Sequence, residues 1–323
     1  MAFANASYTD IITSSIESRT GEIADNVTKN NAILYKLQKR GNVMPVSGGS
    51  TILQEISFQE NSNFEWYSGY DQLSVQAADV ITSAKFDFKQ CACPVVISGL
   101  EELQNSGKEA IIDLLDARMA VAEATMENNM TAGVYSDGTG FGGKQIIGLA
   151  LAVSLTPFAG VYGGIDPSVW SFWGNQLQAA GAQSAATIQL NMNALYNNCT
   201  RGKDHPDLGV ADTNLYGIFE QSLQAIQRFT NNQELADLGF QNLRYKGMDV
   251  VLDGGIGGFA PLNLMYMLNT KYLFLRPHSK RNMVPLSNGR RLPVNQDAEL
   301  EILAWAGAFT CSGRRFQGVL KGF

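Results

Sequence analysis

The order of apolar and polar positions divides the chain into stretches of different period. Near the start, Ser7-Tyr8-Thr9-Asp10 resembles a helix-capping box and is followed by Ile11, Ile12 and Ile16. Ile33, Leu34 and Leu37 share one face of a second short helix predicted over Asn31–Arg40, with Gly41 placed to end it. Two short amphipathic pieces joined by polar residues cannot bury themselves. This arm is therefore expected to lie on a partner, with Ile33 and Leu37 as contact residues. Ser47-Gly48-Gly49-Ser50 then marks a turn, and Thr51–Phe58 is rich in strand formers. On the return, Ala84, Phe86 and Phe88 alternate with Lys85, Asp87 and Lys89, a period of two. Between the two strands Phe64, Trp66, Tyr67 and Tyr70 fall in a stretch with loop character. Either they fold back on the local core or they form a contact patch, since exposed Trp and Tyr favour interfaces.

Residues 98–132 hold the strongest helical signal. Ser98-x-x-Glu101 and Ser106-x-x-Glu109 both read as capping boxes, and Ile111, Leu115, Met119, Ala122, Met126 and Met130 step by three or four until Gly133. A helix continuous from Lys108 to Ala132 would be ~37 Å long. A Gly-rich loop (137–143) leads to an apolar run, Ile146–Val153, that is expected to be a strand, and then to a turn-rich stretch, Pro157–Gly174, holding Trp170, Phe172 and Trp173. Residues 187–276 read as an α/β unit: helix Thr187–Asn198, strand Leu208–Ala211, and a helix capped by Asp212 or Thr213 running to Phe229. Strands Leu243–Tyr245, Met248–Leu252, Met265–Leu268 and Tyr272–Leu275 follow. The tail alternates again through Leu300, Ile302 and Trp305, so the first and last segments are expected to share a sheet.

Composition narrows the function classes. The 323 residues are 45% hydrophobic but only 17% charged, against a usual ~25%. A surface with few charges is suited to burial against neighbours. The net charge of −6 argues against a dedicated nucleic-acid binder, which needs clustered Lys and Arg. No apolar run approaches the ~18–20 residues of a membrane span, and the first residues lack a signal-peptide pattern, so a soluble protein made in a cytosol is expected.

Candidate chemistry is sparse. Gly138-Thr139-Gly140-Phe141-Gly142-Gly143-Lys144 satisfies G-x-x-x-x-G-K, but Gln145 stands where a P-loop has its Ser or Thr, and the loop follows a helix instead of a strand. A phosphate-binding enzyme built on Gly138–Lys144 is the less favoured alternative. Cys91, Cys93, Cys199 and Cys311 are scattered, and His205 and His278 each stand alone, so neither a metal nor a cofactor is expected. Arg276, Lys280, Arg281, Arg290 and Arg291 concentrate positive charge, suited to solvated loops, to salt bridges, or to weak non-specific contact with DNA.

The order of these parts resembles the tailed-bacteriophage major capsid proteins of the Hong Kong 97-type fold. The stretches that carry the resemblance are VSGGSTILQEISF with WYSGYD, ISGLEELQNSGKEAIIDLL, ATMENNMTAGVYSDGT followed by IIGLA, and ADLGFQNLRYKGMDVVLDGGI with MYMLNTKYLFLRP. The resemblance implies an α+β chain with an N-terminal arm (1–46), an extended β-hairpin loop with the first peripheral strands (47–97) and a peripheral domain with a long spine helix and Gly-rich loop (98–180). An α/β axial domain (181–290) and C-terminal return strands of the peripheral domain (291–323) complete it. It implies self-assembly as pentamers and hexamers into an icosahedral shell around double-stranded DNA, with a portal as partner and no enzymatic role. Some relatives carry an N-terminal scaffolding segment; this sequence begins at the arm, which implies a separate scaffolding protein. Others form Lys–Asn crosslinks. Lys85 and Lys89 are candidate contact residues on the hairpin, but no Asn partner or catalytic Glu is marked, so non-covalent locking is expected. An encapsulin-type nanocompartment shell, of the same fold, is the alternative.

Overall fold

The computed structural model describes residues 31–98, 108–179, 181–224, 242–254, 258–286 and 297–322. The expected helix around Ser7–Ile16 lies outside them, as do residues 225–229, the last part of the helix expected to run to Phe229.

Helix α1 (Ala32–Arg40) begins where predicted. The Asn31 side chain accepts hydrogen bonds from the Ile33 and Leu34 amides at 2.9 and 3.2 Å, and Gly41 ends the helix at φ 78°. Its partner is different from the one expected. Ile33, Leu34 and Leu37 are fully buried within this same chain. Lys36 pairs with Asp249 at 3.0 Å and Arg40 with Asp207 at 2.7 Å, fixing the helix to the central unit. Ile33 and Leu37 are therefore core residues, a correction to their reading as contacts with a neighbour. The following residues run along a strand, with Met44 and Val46 amides donating to Leu275 and Pro277 carbonyls.

Strands β1 (Thr51–Ser57) and β2 (Ile81–Asp87) form a two-stranded antiparallel ribbon in register Thr51↔Asp87 to Ser57↔Ile81. The period of two puts Ile52, Ile56, Ala84 and Phe86 on one buried face. After Phe88 the chain enters β3 (Lys89–Ser98), so Lys89 belongs to another sheet and not to the hairpin. Ser98 ends β3, paired with Ala298; Glu101 and Ser106, with the rest of the two predicted capping boxes up to Gly107, lie outside the described residues.

Helix α2 (Lys108–Val134) is the long rod the stripe predicts, with Met119, Ala122, Met126 and Met130 buried. Gly133 does not stop it. A Cβ there would meet Ile146 at 2.5 Å, so this glycine serves close approach. The apolar run after the Gly-rich loop is not a strand: it holds a single helical turn, α3 (Leu149–Ala152), entered through Gly148. A short apolar run fits a buried helix as well as a strand. Here Gly148 presses on the end of α2, its amide donating to the Ser136 carbonyl at 3.0 Å, and that contact turns the chain.

A six-stranded mixed sheet runs β4 (Gln176–Ala179), β12 (Gly318–Lys321), β8 (Leu264–Leu268), β5 (Leu208–Ala211), β7 (Met248–Leu252), β6 (Asn242–Tyr245). Helices α4 (Ile188–Asn198) and α5 (Thr213–Gln224) pack on it through Ile188, Met192, Leu195, Leu215 and Phe219. Asp212 caps α5, accepting the Leu215 amide at 3.0 Å. The 14-residue β11 (Ala298–Cys311) pairs with β3 over its first part, with β9 (Leu273–Pro277) over its last, and with the short β10 (Val284–Pro285). Early and late segments do share a sheet, and the C-terminal segment serves two: β11 the four-stranded sheet with β3, β12 the six-stranded one. No helix among the described residues is long and apolar enough to cross a membrane.

Candidate intersubunit surface

The hairpin has an anchored base and an exposed tip. At the base, Phe86 meets the Tyr162 ring edge-on at 5.2 Å, and the Lys85 amide donates to the Gly163 carbonyl at 2.9 Å. Gly163 has φ 60° and lies so near that a Cβ would stand 2.8 Å from that of Ala84. The ribbon's apolar face is thus covered by its own chain.

Past Phe58, whose amide donates to the Val80 carbonyl at 3.1 Å, side chains take over. Gln59 Nε2 donates to the Asp79 carbonyl at 2.6 Å, Asn63 Nδ2 donates to the Gln76 carbonyl, and the Ser68 amide donates to Asp71 Oδ2 at 2.8 Å. The apolar groups between them face out. Phe64 is 72% and Trp66 91% exposed, and Tyr67, Tyr70, Leu73 and Val75 are exposed with them. Phe64 and Trp66 touch edge-to-face at 5.6 Å. The tip carries Glu60, Glu65, Asp71 and Asp79 and no basic residue. Of the two readings left open for these aromatics, folding back on the core is excluded.

A second apolar patch lies at the tip end of the ribbon, where Phe58, Trp170 and Phe172 pack around a hollow of about 120 Å³. Phe158, Val161 and Val169 are exposed nearby in the chain. The aromatic content of 157–174 was visible in the sequence, but which rings face out was not. Trp173 is buried, its Nε1 bonded to the Tyr162 carbonyl at 2.9 Å. A larger cavity, about 400 Å³, opens between β3, α2 and the Gly-rich loop, lined by Cys91, Cys93, Met126, Met130, Phe141 and Trp305 and by the two lysines Lys89 and Lys144.

The other candidates separate. Lys85 is exposed on the open face of the ribbon. Lys89 donates to the Gly143 carbonyl at 2.6 Å, tying β3 to the Gly-rich loop. Arg276 is turned inward, bonded to Gln54 Oε1 at 2.6 Å and stacked over Phe274, and burial lowers its pKa. Arg281 reaches Gln90 Oε1 at 3.1 Å. Lys280 is exposed, and Arg290 and Arg291 lie outside the described residues. In the Gly-rich loop, the Gly143 amide bonds the Thr139 carbonyl and the Gln145 amide that of Gly140, so donors a phosphate would need are already spent. Among the described residues no three His, Cys, Asp or Glu side chains gather as metal ligands.

No protein-family profile and no curated protein sequence matches the chain. Solved structures do. The capsid of Cyanophage A-1(L) superposes with a TM-score of 0.65 at 15% identity, covering 88% of this chain and 90% of that one. The capsid of the native GTA particle gives 0.53 at 13%, over 87% and 88%. The SrpI encapsulin of Synechococcus elongatus PCC 7942 gives 0.50 at 9%, over 90% and 88%. Such coverage at such low identity speaks to architecture: this chain has the Hong Kong 97-type fold of tailed-phage capsid proteins.

Proposed function

We propose that the chain is a major capsid protein whose copies tile, as pentamers and hexamers, into an icosahedral shell around the double-stranded DNA of a tailed phage. The observation that carries the reading is the hairpin tip, an acidic loop shaped by its own hydrogen bonds that holds four aromatics in water at the end of an anchored ribbon. Each such ring can bury ~150–250 Å². At ~25 cal/mol per Å², covering all four is worth roughly 15–25 kcal/mol gross, enough to offset an association cost of ~4–15 kcal/mol. A second copy is the natural cover, and repetition by symmetry closes the shell.

The reading includes the division into arm, hairpin, peripheral and axial units, a portal and a separate scaffolding protein as partners, a structural and not catalytic role, and a place in the virion after assembly in the host cytoplasm. Lys280, Arg290 and Arg291 are left as candidates for weak contact with packaged DNA. The likeness to an encapsulin supports a second reading, a nanocompartment shell.

The test is to express the full chain with its scaffolding protein and image the product by negative-stain microscopy. Wild type forms closed shells. Trp66→Ser with Tyr70→Ser keeps the circular dichroism and melting of the subunit but forms none. A wild type that stays monomeric, or a tip variant that assembles equally well, overturns the reading. Nuclease-protected DNA inside the particles supports the phage role, and packaged protein cargo the encapsulin one.

A further inference from the structure

Four sulfur atoms line the cavity between β3 and α2. Cys91 and Cys93 are two apart on a strand, so both side chains leave the same face. That face is the one turned to the helix, where Met126 and Met130, four apart on α2, are buried opposite. Cys91 Sγ stands 3.8 Å from Met130 Sδ. Metal–sulfur bonds run ~2.3 Å, and two of them meeting near the tetrahedral angle hold their sulfurs about that far apart. Cys93 also packs against the cluster that Val95 and Ile97 form with Met119 and Ala122 of the same helix.

We infer that Cys91, Cys93 and Met130, with Met126 at the cavity wall, form a binding site for a soft, thiophilic monovalent cation such as Cu(I) or Ag(I). Two thiols and thioethers, with neither carboxylate nor imidazole in the lining, are the donor set of a soft ion; Mg²⁺ or Ca²⁺ would find no carboxylate there. Binding replaces the two thiol protons: the cation gains two thiolate bonds, two protons leave to solvent, and the site changes its charge by −1. Lys89 and Lys144, both lining the cavity, supply the compensating positive charge. Without the ion the thiols are protonated near neutral pH, as ordinary cysteine thiols are. They are also the thiols a solute can reach, because Cys199 and Cys311 are buried elsewhere in the core.

The experiment is an anaerobic competition of the reduced full chain against a coloured Cu(I) chelator, with Cu(I) itself as the probe. The expected result is withdrawal of one equivalent of Cu(I), with release of two protons in weak buffer. Cys91→Ser and Cys93→Ser each abolish the withdrawal, Cys199→Ser leaves it unchanged, and Met130→Leu weakens it about tenfold, the scale of losing a supporting group. Circular dichroism checks that each variant is folded. No withdrawal by the folded wild type overturns the inference, and so does withdrawal that survives loss of either Cys91 or Cys93. A fall in Met130→Leu affinity of less than twofold removes the thioether from the site and overturns the assignment as stated. The site is independent of shell formation, so neither result depends on the other.

Discussion

Arg314 is buried, and carbonyl oxygens answer its charge. Its Nε donates to Ala152 at 2.8 Å and one terminal nitrogen to Leu151 at 3.1 Å, with the Tyr162 ring 5.0 Å beneath. These carbonyls belong to the short helix α3, whose C-terminal end attracts a cation. A lysine brings the same charge as a single point and cannot fork to both. Arg314→Lys is expected to lower unfolding stability by about 2–4 kcal/mol, measured as a shift of the urea midpoint at constant slope. Asp253 is the opposite case, a carboxylate that accepts from the Tyr135 hydroxyl and that burial holds above its ordinary value of 3.8. An acid raised in the folded state favours the fold while protonated, and that contribution is lost as pH rises through the folded value. Stability should therefore fall with rising pH from about the ordinary carboxylate range upward, and Asp253→Asn, which keeps an acceptor for Tyr135, should flatten that part of the profile in denaturation curves. Neither residue was legible in the sequence. Each depends on partners over a hundred positions away, which no local pattern encodes.

The elements were more legible where the period is long or the turn chemistry explicit. Helix α1 is announced by Asn31 and Gly41, α2 by its apolar stripe, and the β6–β7 hairpin by Lys246-Gly247, both at positive φ as a tight hairpin turn requires. The run 146–153 was misread because eight apolar residues carry no period, and the arm was misassigned because its cover comes from strands far along the chain. The hairpin tip lay between these cases: its four rings stand out in the sequence, but whether they point in or out depends on a loop shape held by hydrogen bonds through Gln59, Asn63 and Asp71. Its base yields a prediction of its own. Gly163→Ala must place a side chain at positive φ, costing ~1–2 kcal/mol, and press on Ala84 and Phe86, costing ~1–3 kcal/mol more. The ribbon should loosen locally, so that hydrogen exchange at the Lys85 amide quickens while amides in α5 keep their protection. Equal loss at both places would mean that the ribbon is not a separate unit of opening.

At the scale of the whole molecule, polar and apolar roles are divided by place. Salt bridges such as Lys36–Asp249 and Arg40–Asp207 hold the chain to itself, and the hairpin tip gathers exposed Phe64, Trp66, Tyr67, Tyr70, Leu73 and Val75. Assembly driven by such surfaces should behave as apolar burial does. Its strength near room temperature comes from water entropy, so it weakens on cooling and gains from strongly hydrated salts. An assembly driven by ion pairs between exposed charges would instead be screened away as salt rises, because the Debye length shrinks from ~10 Å at 0.1 M to ~3 Å at 1 M. The two mechanisms give opposite signs in one measurement. Light scattering of subunits with scaffold should rise when sodium sulfate is added and fall when the sample is chilled. A signal that drops steadily with sulfate would place the driving force on charge and strip the aromatic tip of the part assigned to it.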